Sequence, residues 1–368
     1  MLKVSQDKDK PEVTLREQMK KFAIKSLYGY QTILCYGLGS RLGIFDYFYK
    51  KAKSEITEQK ITAIKFTLEE LSENLKLDLK YLDGWFHMSL ECGIFEIEDR
   101  DKKIAKTAPH VYELLIDKES MFYMGGTIRV FHEISLNQDL LLDHFKTGQI
   151  DNILETPSDD YKEGQRASAR VGTVIESLFK KYCKDDRKKL QNLEAKILEV
   201  GCGYGFNLEI WAKKYRKAQF VGIDIDPNGV AYAKELMKQN KWSDRINIYE
   251  TTLENYLNAY DTKFDMIMLN EVLHEMDPDE NYRRSVFDNI HSLLKDDGIF
   301  IVGESMIPDT FEPKEDFQLF NIMHKWLEVA FGSKFYNEKT FKKLVDSSSF
   351  NRAELIKEGG NYFWAIRK

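Results

Sequence analysis

The stretch Ile197-Leu198-Glu199-Val200-Gly201-Cys202-Gly203-Tyr204-Gly205-Phe206 limits the possible folds more than any other in the chain. Four residues of strand character enter a glycine-rich turn, and Leu208, Trp211 and Ala212 then recur at helical spacing. Strand, tight turn and helix follow one another. Glycine tolerates φ > 0 and carries no Cβ, so a turn of this kind brings backbone close to a nucleotide-like ligand. The dinucleotide fingerprint G-x-G-x-x-G is not met: the third glycine comes one residue early, and Phe206 holds the position that pattern reserves for it. An acid, Glu199, stands two residues before the first glycine.

Beyond this turn, strands and helices alternate. Phe220–Asp224, Ile246–Tyr249, Phe264–Leu269 and Gly298–Gly303 read as buried strands. Between them, helices are expected from Pro227, from Leu253 to Leu257 and from Pro278 to Leu294. Such alternation implies a parallel sheet covered on both faces. Ala353–Ile356 and Tyr362–Ile366 add two strands, antiparallel neighbours at one edge. The expected fold class is therefore α/β, a Rossmann-like sheet of seven strands. Ligands in these sheets bind beyond the carboxyl ends of the strands. Asp224, at the end of the second strand, stands where an acid accepts hydrogen bonds from ribose hydroxyls, with Asp226 as a competitor. Glu250 and Thr251 end the third strand, Asn270 the fourth. His274 and Glu275 follow the fourth strand, and Glu304 follows the fifth.

Residues 1–150 read as a separate, mainly helical domain, and 151–368 as the sheet domain. Leu15 to Lys51 carries at least two helices with a break around Gly37 to Ser40. Thr67 and Glu70 have capping-box spacing, Asp78 opens a helix that stops at Gly93, and Ile94–Glu98 and Lys103–Lys106 form a hairpin. Helix, helix and hairpin make a winged-helix-like layout. Its second helix, Asp78 to Cys92, has Lys80 as its only basic residue besides His87, which argues against reading of DNA. Phe122 to Lys146 is expected to be helical, and the polar run Gln149 to Asp160 marks the boundary.

The Glu199-x-Gly201-x-Gly203-x-Gly205 motif resembles the first motif of the class I S-adenosylmethionine-dependent methyltransferases. The pattern around His274 and Glu304, with Pro308 four residues past the latter, is similar to the small-molecule O-methyltransferases of the caffeic acid and acetylserotonin type. This resemblance covers most of the chain. It implies S-adenosylmethionine as cofactor, held by Glu199, Gly201, Gly203, Gly205, Asp224, Glu250, Thr251 and Asn270. It also implies a winged-helix-like dimerisation domain at the N-terminus, and hence a homodimer. His274 would be the general base, Glu304 would orient its imidazole, and Glu275 would contact substrate or hold the loop. A histidine suits that role because its ordinary pKa lies near 6.5. The plant enzymes carry a further Glu where this chain has Phe335. His291 and His324 are expected to be structural, yet the helix from Phe317 to Phe331, with Phe320, Met323, His324 and Trp326, is a candidate pocket wall.

Composition narrows the partners. The 368 residues carry a formal net charge of −6, so no overall basic field draws the chain to nucleic acid. No apolar run is long enough to span a bilayer, and the polar stretch Met1 to Glu12 lacks a signal-peptide core. Cys35, Cys92, Cys183 and Cys202 show no metal-binding spacing. No metal is expected, and the cytoplasm is the expected location. The reading is methyl transfer to a small-molecule hydroxyl. Its alternatives are nitrogen or carbon methylation by proximity, or a cofactor-binding regulator that uses its winged helix on DNA.

Overall fold

A computed structural model describes residues 14–55, 63–120, 122–136, 138–152, 162, 165–166, 169, 171–192, 195–311 and 319–368. The chain divides into two units, Met1–Ser135 and Leu136–Lys368. The stretch Met1 to Glu12 and most of the polar run from Gln149 to Asp160 lie outside the described residues, as do Tyr161 and the side chain of Phe320.

In the first unit, the helix Ser26–Arg41 runs through Gly37 and Gly39 without a break. The chain turns instead at Leu42 and Gly43, where φ is +78°, before the helix Ile44–Glu55. The expected break at Gly37 to Ser40 is thus displaced, because the two glycines serve packing. A Cβ on Gly37 would lie 2.2 Å from the His132 ring, and one on Gly39 would lie 2.7 Å from both Phe45 and Trp85. Gly37→Val should therefore destabilise this unit by about 1–3 kcal/mol, read as a lower denaturation midpoint.

Thr67 caps the helix Leu68–Leu75 by accepting from the Glu70 amide at 3.1 Å. The Glu70 carboxylate also accepts from Tyr47 at 2.6 Å and from Lys51. Asp78 caps the helix Leu79–Glu91, which stops at Gly93 with φ +73°. Strands β1 (Lys65–Phe66), β2 (Phe95–Asp99) and β3 (Ile104–Thr107) form an antiparallel sheet in the order β1-β3-β2. Phe45, Phe48, Phe66, Phe86 and Phe95 fill the core between helices and sheet. Within the stretch from Phe122 to Lys146 expected to be helical, Gly125–Leu136 and Gln138–Thr147 are helical, and Gly148 follows with φ +69°.

The second unit holds the larger sheet: β4 (Lys196–Val200), β5 (Gln219–Asp224), β6 (Ile246–Glu250), β7 (Phe264–Asn270), β8 (Leu294–Gly303), β9 (Arg352–Glu358) and β10 (Asn361–Arg367). Their order is β6-β5-β4-β7-β8-β10-β9. The first five are parallel, and β10 lies antiparallel between β8 and β9. Side chains alternate between two cores, Ile197, Phe220, Met266 and Ile299 on one face, Leu198, Ile267 and Phe300 on the other. Burial on both faces explains why these strands are nearly continuous apolar runs. From β4 the order runs outward in both directions, so the ends of β4 and β7 flank a switch point, the place where such sheets bind ligands.

Candidate active site at the strand ends

The glycine turn is built by three left-handed residues, with φ of +72° at Gly201, +46° at Gly203 and +76° at Gly205. The Gly203 amide donates to Asp224 Oδ2 at 2.6 Å, and the Asp226 amide donates to Asp224 Oδ1 at 2.8 Å. Asp224 thus braces the turn from the neighbouring strand, and a carboxylate's several lone pairs leave it able to accept a further donor. Asp226 is committed elsewhere: it caps the helix Pro227–Gln239 through the Asn228 and Gly229 amides. Glu250 lies beside Asp224 in register across β5 and β6, and the Thr251 amide donates to the Asp224 carbonyl at 2.9 Å.

Glu199 is 1% exposed, and its Oε1 accepts from Asn207 Nδ2 at 2.6 Å. Burial pushes its carboxyl up to about 8. Its other oxygen has no hydrogen-bond partner among the described residues, and the same holds for Asn207 Oδ1 and Asn270 Oδ1. Three buried acceptors without donors are costly in a finished protein. Asn207 was not singled out by sequence; its place in the first turn of the helix after the glycines turns it back toward Glu199.

The second cluster follows β7 and β8. Glu271 adopts φ +52°, and its amide donates to the Gly303 carbonyl at 2.7 Å. The short turn Leu273–Glu275 then brings His274 against Glu304. Their side chains meet at 2.5 Å from Nδ1 to Oε1, and the His274 amide donates to Glu304 Oε2 at 3.2 Å. A carboxylate on Nδ1 leaves Nε2 as the free nitrogen. Burial opposes the imidazolium, but the charge and hydrogen bond of Glu304, with Glu275 and Glu271 beyond, push His274 up to about 10. Against its own burial, Glu304 is held below the ordinary carboxylate range by His274.

Arg283, fully buried, donates to the carbonyls of Asp277, Lys334, His274 and Met276 at 2.8–3.3 Å. It therefore fixes the backbone that carries His274. His324, expected to be structural, lies with its ring centre 4.6 Å from that of His274. Its Nδ1 is 3.1 Å from Ser305 Oγ, which donates to Glu271 at 3.2 Å. Burial and the charge of His274 push His324 down to about 4. Phe335 stacks on His274 at 4.6 Å and 11°. A further carboxylate does reach the site, from Glu328: one ring nitrogen of His274 and one oxygen each of Glu275 and Glu328 lie within 4.8 Å of one another. By contrast, His291 packs its ring on Phe350 at 5.1 Å, and Trp326, half-exposed, lies 5.9 Å from Phe145.

Residues 192–358 match the family described as "Methyltransferase domain". Among curated relatives, erythromycin 3''-O-methyltransferase of Saccharopolyspora erythraea is 26% identical over 120 residues, 33% of this chain and 38% of that protein. The chain thus spans less than half the length of this relative. Two solved structures resemble almost the whole chain. Mitomycin 7-O-methyltransferase MmcR is 16% identical with a TM-score of 0.66, covering 96% of this chain and 98% of that one. Human N-acetylserotonin methyltransferase, solved in complex with S-adenosylmethionine, is 15% identical with a TM-score of 0.67, covering 95% and 98%.

Proposed function

From a chain that carries a methyltransferase domain over residues 192–358 and shares its fold with O-methyltransferases along nearly all its length, we propose S-adenosylmethionine-dependent methylation of a small-molecule hydroxyl. The observation that carries this reading is the pairing of two devices at neighbouring strand ends: a glycine turn with unsatisfied buried acceptors, and a buried carboxylate–imidazole pair.

The residues fit the cofactor. Glu199, Asn207 and Asn270 offer acceptors to an ammonium group, Asp224 offers free lone pairs to ribose hydroxyls, and Gly201, Gly203 and Gly205 allow close backbone approach. Glu250 and Thr251 would complete the adenosine side. The bound sulfonium supplies the electrophilic methyl group. His274 would receive the acceptor's proton at Nε2, Glu304 would hold the ring and stabilise its charge, and Glu275 would face the acceptor. Proximity between acceptor and methyl donor supplies the remainder of the acceleration.

The helix Leu79–Glu91 carries Lys80 and no other Lys or Arg, which favours a small molecule over DNA. No helix among the described residues is long and apolar enough to cross a membrane. Exposed Leu15, Phe22, Leu27 and Tyr30 near the N-terminus support a homodimer, and a cytoplasmic location belongs to the same proposal. Isothermal titration with S-adenosylmethionine tests the cofactor directly. The wild type should bind it, and Asp224→Ala should weaken binding by about tenfold or more, since hydrogen bonds to a charged group contribute about 1.5–3 kcal/mol each. A wild type that does not bind it at all would overturn the reading.

A further inference from the structure

Glu199 lies on β4 between Gly222 of β5 and Met268 of β7, and it is 1% exposed. The elements around it bring no positive charge. From β5 comes the carboxylate of Asp224, from the glycine turn the Cys202 thiol, and from the helix Phe206–Lys214 the Asn207 side chain and the Leu208 amide. The helix Val171–Tyr182 packs Gly172 on Asn207, where a Cβ would stand 1.7 Å from Oδ1. A carboxylate buried without a counter-ion is costly enough that such a group takes up a proton instead. Asp224 is better provided for as an anion, because the Gly203 and Asp226 amides donate to its two oxygens. Glu199 Oε1 has the Asn207 side chain at 2.6 Å, while Oε2 has no hydrogen bond among the described residues. Burial pushes Glu199 up to about 8, the charge of Asp224 adding to it, while Asn207 and the Leu208 amide pull the other way.

We propose that the cofactor enters by exchanging a cation for a proton: Glu199 is a neutral carboxylic acid in the free protein, and the ammonium of the cofactor's amino-acid portion displaces its proton to solvent. This rests on the assignment of the glycine turn to S-adenosylmethionine and adds to it a pH-dependent control of cofactor loading. In the exchange the O–H bond of Glu199 breaks, its proton passes to the buffer, and N–H groups of the ammonium take its place at the carboxylate. The sign follows from linkage. The free site holds a proton that the complex lacks, so binding releases it, and affinity rises with pH until the free carboxyl ionises. Below that point each pH unit costs close to tenfold in affinity. Acidification therefore empties the site of its cofactor through Glu199, while Asp224, braced by backbone amides, keeps its charge.

The test titrates the full chain calorimetrically with S-adenosylhomocysteine, which carries the same ammonium, in phosphate and in Tris, two buffers of different ionisation enthalpy. At neutral pH the wild type should release about 0.7–1 proton per molecule bound, and its affinity should rise about tenfold or more between pH 6 and pH 7.5. Methylthioadenosine, which keeps the adenosine and the sulfur but lacks the ammonium, should release none. Glu199→Gln should bind S-adenosylhomocysteine with no proton release and with an affinity flat across the same range. Difference infrared spectra should show the carbonyl stretch of a protonated carboxyl lost on binding in the wild type and absent in the variant. Buffer comparison and infrared band are read on the wild type, so they decide the matter even where the variant does not fold. No proton release with a flat affinity, equal release on binding methylthioadenosine, or release that persists in Glu199→Gln overturns the proposal and leaves the methyltransferase reading standing. Failure of S-adenosylhomocysteine to bind the wild type overturns both.

Discussion

Replacing His274 by alanine should lower kcat by about 100-fold or more while S-adenosylmethionine affinity stays within a few fold. The two effects separate because His274 and Glu304 follow β7 and β8, whereas the glycine turn follows β4. A pH profile sharpens the test. The free imidazole is held protonated up to about 10 by Glu304 and the acids beyond it. A base must lose that proton first, so kcat/KM, which reports the free enzyme, should climb with pH from neutrality toward that value. The rising limb should disappear in His274→Ala. If the variant keeps most of its activity, transfer proceeds by positioning alone and the base role is lost.

Gly201→Val should weaken S-adenosylmethionine binding by about 100-fold or more. At φ +72° a β-branched residue is strained, a cost of order 1–3 kcal/mol. A Cβ there would also stand 2.4 Å from the Val272 side chain, and relieving such overpacking costs typically another 1–3 kcal/mol. Together these come to roughly 2–6 kcal/mol; the turn relieves them by moving away from its cofactor-binding shape, and recovering that shape on binding costs affinity on the scale of the roughly 2.7 kcal/mol that a 100-fold change requires. Gly84→Ala is the control. Gly84 sits in the helix Leu79–Glu91 with open space around it, so that variant should bind the cofactor as the wild type does. Titration calorimetry reads both, and unchanged binding in Gly201→Val would sink the assignment of this turn to the cofactor.

What could be read from the residues depended on how local each signal was. The β4 turn is contiguous, so its glycines, its preceding acid and its following helix were legible together. The parallel strands were legible because burial on both faces leaves continuous apolar runs such as Phe264–Leu269. His274 and Glu304 come from two strand ends, and the resemblance to O-methyltransferases was needed to associate them. Glu328 was missed because it reaches the His274 cluster from a helix remote in sequence, as does His324, which was read as structural; Arg283, close in sequence, was missed because it acts through backbone carbonyls that no residue pattern announces. The break in the first long helix was misplaced for a related reason. Gly37 reads as a helix breaker until the His132 ring, nearly a hundred positions away, is seen to occupy the space where its side chain would be.

The buried Arg283 separates what can vary from what cannot. By tying four backbone carbonyls between His274 and Lys334 it makes the proton-handling loop a rigid insert. Glu328 and His324 enter from a different element, the helix Leu319–Glu328, and depend on none of those bonds. Libraries for retargeting the acceptor should therefore randomise the inward positions of that helix and leave 274–283 untouched. Substrate range could then drift in the laboratory without resetting the chemistry, much as a lock is rekeyed by changing its pins and keeping its bolt.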